Sequence, residues 1–278
     1  MNITDLPGID VTTAEGSHFA VADHGAHAWA WQPAGHRPVL WLSGSSNFVD
    51  GSPIRGGVPV IFPWFANGRS GDQQPAHGPV RTMAWRRDEV VDDTAASGTL
   101  TVRHTYEGDL PFAADVAVTT HFSNEEFRVE LSVTNTGEHE VTFEQALHTY
   151  LAVSDVTQIS VQGLDGVAYL DRAKHAPQLH CTQAGDVVFT AETDRIYLTD
   201  GSVRVVDPAW ERDIEVSKQG SANTVVWNPW IEKAAAMGDF GDDEWPLMVC
   251  IEAANVLDDA VVLPAGETHV LSQTLRLS

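Results

Sequence analysis

The chain has 278 residues, 43% of them hydrophobic, enough to enclose one large β domain or two small ones. Its 39 acidic against 16 basic side chains give a formal net charge of −23, a field that repels nucleic acid and anionic membrane, both of which need cationic protein surface. No run approaches the ~18 apolar residues of a membrane span, and MNITDLPGID at the start lacks the basic flank and apolar stretch of a secretory signal, so a cytoplasmic protein is expected.

Read in chain order, the first strand candidates are 18–23, 27–31 and 39–42. His24 and His27 have a spacing that could suit a metal, but no third ligand accompanies them and no metal is expected. Residues 52–65, SPIRGGVPVIFPWF, then embed Arg55 among apolar neighbours. Gly56 and Gly57 serve either a tight turn or a close approach of main chain to a ligand. The lysine and spacing of a Walker loop are missing. Residues 74–81, QPAHGPVR, place His77 and Arg81 in a second constrained loop. Two guanidinium forks suit a phosphate, although either could equally pair with a surface carboxylate.

The polar stretch 88–98 reads as a hairpin connection, followed by strands over 99–106, 112–122 and 127–133. Phe127, Val129, Leu131 and Val133 alternate with Arg128, Glu130 and Ser132, the two-residue period of a half-buried strand. Asn124, Glu125 and Glu126 form the turn between the last two. Segment 141–150, VTFEQALHTY, puts Glu144, Ala146 and His148 on one face. A strand histidine is ordinarily structural; it becomes a candidate acid only beside a base and a substrate oxygen.

Strands follow over 159–162, 194–199, 203–207, 212–217 and 223–227, with 166–187 as an irregular surface loop. Asp207, just before Pro208, could accept sugar hydroxyls, and Trp64, Trp227 or Trp230 could cover a pyranose face. Asn228 and Pro229 can start a two-turn helix over 230–237, ended by Gly238. The 247–255 strand, LMVCIEAAN, is apolar on both faces and holds Cys250 as a buried thiol. It also holds Glu252, which desolvation would turn into a base poised near neutral pH unless it is simply a bonded structural carboxylate. Cys181 and Cys250 form no CxxC pair, and 268–275 is the last strand. Many short strands and almost no crossover helices predict an all-β, antiparallel sandwich or barrel.

Several of these segments together resemble a known family. SPIRGGVPVIFPWF, HGPVR, EQALHTYLAVSD, VVWNPWIEKAAAMGDFG and WPLMVCIEAANV, ordered over 52–256, are similar to the hexose-6-phosphate mutarotases, the glucose-6-phosphate 1-epimerase branch of the aldose 1-epimerase family. The resemblance implies a single domain over 1–278, an antiparallel β-supersandwich of galactose-mutarotase type, with neither metal nor organic cofactor. It implies His148 as general acid to the ring oxygen and Glu252 as general base to the anomeric hydroxyl. Arg55 and Arg81 match the phosphate-recognising arginines, while His77, Asp207 and Gln74 are assigned to the substrate with them. The expected partner is a hexose 6-phosphate, glucose 6-phosphate first, and the expected state a monomer with a homodimer as the alternative. A noncatalytic sugar-phosphate binding or regulatory protein is the competing reading.

Overall fold

The computed structural model describes residues 2–92 and 98–278. Among them, two eight-stranded antiparallel sheets carry the fold, with a three-stranded sheet over Gly8–Thr12, His18–Ala22 and His27–Gln32 and a two-stranded one joining Val141–Phe143 to Val261–Leu263. The all-β, antiparallel expectation holds. The first large sheet runs through His180–Thr182, Ala168–Asp171, Thr193–Leu198, Asn223–Asn228, Met248–Asn255, Gln145–Leu147 and Val60–Ile61, with Tyr150–Ala152 also pairing with Met248–Asn255. The second contains the long Ala114–Phe122, Glu126–Asn135 and Thr268–Leu277 strands.

The period of two decides which face does what. In the first sheet Leu147, Leu151, Val226, Val249, Ile251 and Ala253 point inward. They join Val102, Leu131, Leu271 and Leu275 of the second sheet in one core. Fully burying such a side chain contributes about 1.5–3 kcal/mol, so this inner face holds the strands in place. The alternate residues Ala146, Tyr150, Val225, Trp227, Cys250 and Ala254 form a second cluster on the outer face, covered by Trp41 and Phe240. All eight residues of Met248–Asn255 are therefore buried, which explains its unbroken apolar run.

Several local expectations are corrected. Residues 39–42 form no strand but touch neighbours through isolated bridges, Leu40 to Leu151 and Leu42 to Gly56. The stretch read as a connection from 88 is strand as far as 92, within Arg86–Asp92; residues 93–97 lie outside the described residues. Segment 166–187 contains two short strands, Ala168–Asp171 and His180–Thr182, the second of them at the sheet's edge. Segment 141–150 is three strands, because Glu144 N donates to the Pro63 carbonyl and His148 N to that of Pro59, both at 3.0 Å. The helix is Trp230–Ala235, with Asn228 Oδ1 accepting from Trp230 N at 2.9 Å. No described helix is long and apolar enough to cross a membrane.

Candidate active site

Strand register brings the two proposed acid–base residues together. Leu147 lies opposite Ala253 and Tyr150 opposite Cys250. The same register carried through the gap sets Thr149 against Ile251, whose amide donates to the Thr149 carbonyl at 3.1 Å, and His148 against Glu252. Directly opposed residues of antiparallel strands share a face. His148 Nε2 and Glu252 Oε1 are 3.4 Å apart, with side-chain exposures of 10% and 1%. That separation is longer than a good charge-assisted hydrogen bond. Glu252 Oε2 and His148 Nδ1 are both buried with no hydrogen-bond partner among the described residues.

Aromatic rings hold the histidine. Tyr150, two residues on and so on the same face, stacks on His148 with centroids 4.8 Å apart and planes 11° from parallel. Trp227 and His77 meet the His148 ring edge-on, each at 6.0 Å. His77 Nδ1 accepts from Ala66 N at 3.2 Å, so a neutral His77 must carry its proton on Nε2 as a donor. Burial, then the charges of Arg81, Arg55 and Arg172, pushes the His77 pKa down to about 3.

The two arginines also converge here, but they are not equivalent. Arg55 donates from Nη1 to the Tyr150 hydroxyl at 3.0 Å, and from Nε and Nη2 to the Asp239 carboxylate at 3.3 and 3.1 Å. Burial weakens its hold on the proton, but Tyr150 and Asp239 more than restore it, so its pKa ends above the ordinary value. Arg81 has one side-chain hydrogen bond, from Nη2 to the Ala76 carbonyl at 2.9 Å, and its buried Nε has no partner among the described residues. Burial brings its pKa down to about 10, with Tyr150 opposing and Arg55 adding to the shift. The glycines near Arg55 serve chain packing: a Cβ on Gly57, at φ 58°, would sit 2.3 Å from the Ala28 carbonyl oxygen and 2.6 Å from His27 Nε2. That close approach, with Gly57 N donating to the Trp41 carbonyl at 2.7 Å, sets the turn carrying Arg55.

Burial, more than neighbouring charge, disfavours ionisation of both partners. Burial, then Asp194, holds the Glu252 carboxyl well above the usual range, with Arg81 opposing. Burial, then His77, Arg55 and Arg81, holds His148 well below its usual value. Both shifts favour the neutral forms, a protonated Glu252 carboxyl and an unprotonated His148 imidazole.

The other predicted residues are distributed differently. Asp207 is buried in the second sheet, where its carboxylate accepts from Ser154 N at 2.7 Å, Ser154 Oγ at 2.6 Å and Trp210 N at 3.3 Å. Each of these bonds fastens chain to chain, and none reaches the His148–Glu252 pair. Gln74 is exposed, three residues before His77, outside the buried cluster. Of the tryptophans, Trp227 lines the site, whereas Trp230 packs on Trp245 at 4.3 Å and Trp64 donates to the Pro75 carbonyl. Three contributors were not foreseen: Tyr150, Asp239 and Asp194. Tyr150 was within reach of the alternation argument. Asp194, cross-strand from Trp227, is held by Lys233, whose Nζ is 3.4 Å from Asp194 and 2.8 Å from Glu192. A cleft of about 580 Å³, lined by Phe65, Arg69, Glu144 and Arg172 among others, shares Phe65 with the His77 contact, and neither His148 nor Glu252 lines it. Among the described residues no three His, Cys, Asp or Glu side chains group as a metal ion would require.

The model of the family described as "Aldose 1-epimerase" matches residues 8–276. The chain belongs to that family. It is 36% identical over 259 residues to a protein of Escherichia coli strain K12 described as "Putative glucose-6-phosphate 1-epimerase", covering 91% of this chain and 85% of that one. A Cenchrus ciliaris protein with the same description is 30% identical over 285 residues, covering 94% and 82%. The solved structure of a "putative mutarotase (YeaD)" from Salmonella typhimurium superimposes with a TM-score of 0.87 at 26% identity, covering 98% of this chain and 90% of that one. This aldose 1-epimerase family member therefore has the galactose-mutarotase fold, and its buried His148–Glu252 pair lies on one face of the first sheet.

Proposed function

We propose that this family member interconverts the α and β anomers of a hexose 6-phosphate, glucose 6-phosphate being the first substrate to test. The observation that carries the reading is the buried His148–Glu252 pair, 3.4 Å apart, with Arg55 and Arg81 close enough to shift the His148 proton equilibrium. In the productive state one group takes the anomeric hydroxyl proton while the other gives a proton to the ring oxygen. The C1–O5 bond breaks, leaving an open-chain aldehyde and a C5 hydroxyl. Rotation about C1–C2 presents the other carbonyl face, and reclosure with both transfers reversed restores the proton inventory. With Glu252 as base and His148 as acid, the reacting pair needs an ionised Glu252 and a protonated His148. A substrate phosphate favours protonation of His148, because its roughly −1.5 to −2 charge offsets the Arg55 and Arg81 charges that oppose it.

In this reading neutral His77, donating from Nε2, holds a sugar oxygen, and Trp227, edge-on to His148, covers a ring face. The names of the E. coli and Cenchrus relatives agree with the substrate class. Exchange NMR on glucose 6-phosphate, with and without protein, tests the reading. Faster exchange between the anomeric signals is the expected result. Binding of the sugar phosphate without faster exchange would instead leave a noncatalytic binding protein.

A further inference from the structure

We propose that Asp239 is a built-in stand-in for the substrate's phosphate, holding Arg55 until a dianion displaces it and so limiting how tightly the site grips phosphate. This rests on the phosphate-binding part of the function proposed above. The argument starts from the unequal state of the two arginines. Asp239 occupies the Nε–Nη2 edge of Arg55, with distances of 3.3, 3.2 and 3.1 Å. That planar edge is what a phosphate uses in a bidentate contact. Nη1 is taken by Tyr150, so little of the Arg55 fork is left for a ligand. Arg81 has no carboxylate partner among the described residues, and its buried Nε has no hydrogen-bond partner there. A phosphate arriving at the arginines meets no competing carboxylate on Arg81 but must compete for Arg55.

The surroundings make that competition a side-chain event. Arg55 and Asp239 keep 19% and 17% of their side-chain surface exposed, so a ligand can reach the pair. The loop on which Asp239 sits is anchored on its C-terminal side. Phe240 packs against Trp41 at 5.1 Å, and the Glu244 carboxylate accepts from Ser43 Oγ at 2.6 Å, Gly44 N at 2.9 Å and Gly241 N at 2.9 Å. Release of Arg55 therefore takes a rotation of the Asp239 side chain between rotamers, with the loop in place. The carboxylate holds Arg55 aligned when no phosphate is present. Its displacement subtracts from phosphate affinity, which favours product release and keeps free inorganic phosphate from saturating the site.

Calorimetric titration of inorganic phosphate at pH 8 into the full-length protein tests this directly. Asp239→Asn keeps the shape and removes the competing charge, so it should bind phosphate roughly tenfold more tightly than wild type. A purely structural role for Asp239 gives the opposite sign, because a disordered Arg55 binds phosphate less well. Equal or weaker binding by the folded variant overturns the proposal, as does failure of both proteins to bind. A wild-type measurement covers the case of a variant that does not fold. In ¹⁵N NMR of the arginine Nε–H groups, phosphate should shift the Arg55 signal as well as that of Arg81. A shift confined to Arg81 overturns the displacement. Neither readout requires turnover, so absence of anomer exchange would defeat the proposed function without deciding this one.

Discussion

Replacing Glu252 with glutamine keeps the side chain's shape and removes its ability to exchange a proton. The side chain is 1% exposed, its Oε1 lies 3.4 Å from His148 Nε2, and its Oε2 has no hydrogen-bond partner among the described residues. Positioned acid–base groups are worth ~10²–10⁴-fold, or about 2.7–5.5 kcal/mol of barrier. Burial this complete leaves little room for a water to substitute, so the loss should lie toward the upper end. Exchange NMR on glucose 6-phosphate measures it, and activity within about tenfold of wild type in a folded variant would reject Glu252 as the proton carrier.

The same substitution tests the raised Glu252 pKa through stability. Burial and Asp194 raise the Glu252 pKa in the folded state. A group bound more tightly to its proton when folded contributes stability that is fully present below the unfolded carboxyl value of about 4.3 and lost as pH rises through the folded value. Wild type should therefore lose stability relative to Glu252→Gln as pH climbs above that point, by at most about 1.4 kcal/mol per pH unit within the window. For a chain of this size each kcal/mol is about 2–4 °C in Tm. Parallel Tm-versus-pH curves for the two proteins between pH 5 and 8 would show that the folded carboxyl titrates normally and refute the argument.

His148→Asn should also depress exchange by ~10²–10⁴-fold while leaving phosphate binding in place, checked by pairing the exchange assay with calorimetry. Arg55→Ala and Arg81→Ala should lower kcat/KM for glucose 6-phosphate more than for glucose, and lysine at either position should recover only part of the loss; equal losses for both sugars would remove the phosphate clamp. Below neutrality, kcat/KM for the phosphorylated sugar should fall as pH drops through about 6, the second phosphate pKa. Free glucose should show no such limb, because His148 is already held well below its usual value.

The parts of this site that sequence could announce were those that break a local rule. Glu252 stands out because a carboxylate in LMVCIEAAN must be buried, and Arg55 because an arginine among glycines, prolines and aliphatics is not an ordinary surface residue. Long alternating strands such as Glu126–Asn135 were legible because one face is polar. The short strands Ala168–Asp171 and His180–Thr182 were not, since among their residues only Asp171 is buried and no strong apolar period is left to read. Asp207 and Asp239 mark the limit. Before partners are known, both are acids near a strand end or turn in an acid-rich chain. One proves to be fastened by Ser154 and Trp210, and the other to sit across Arg55. What separates them is long-range pairing: Ser154 is 53 positions from Asp207, and Arg55 is 184 from Asp239. His148 and Glu252 obey the same logic. Each was visible alone, but their 3.4 Å approach depends on the register between two strands, which the inner face of Leu147, Leu151, Val249 and Ile251 holds. A one-residue slip would turn Glu252 into the inter-sheet core and separate it from His148. The packing of the inner face is thus what brings the two groups of the proposed chemistry together on the outer one.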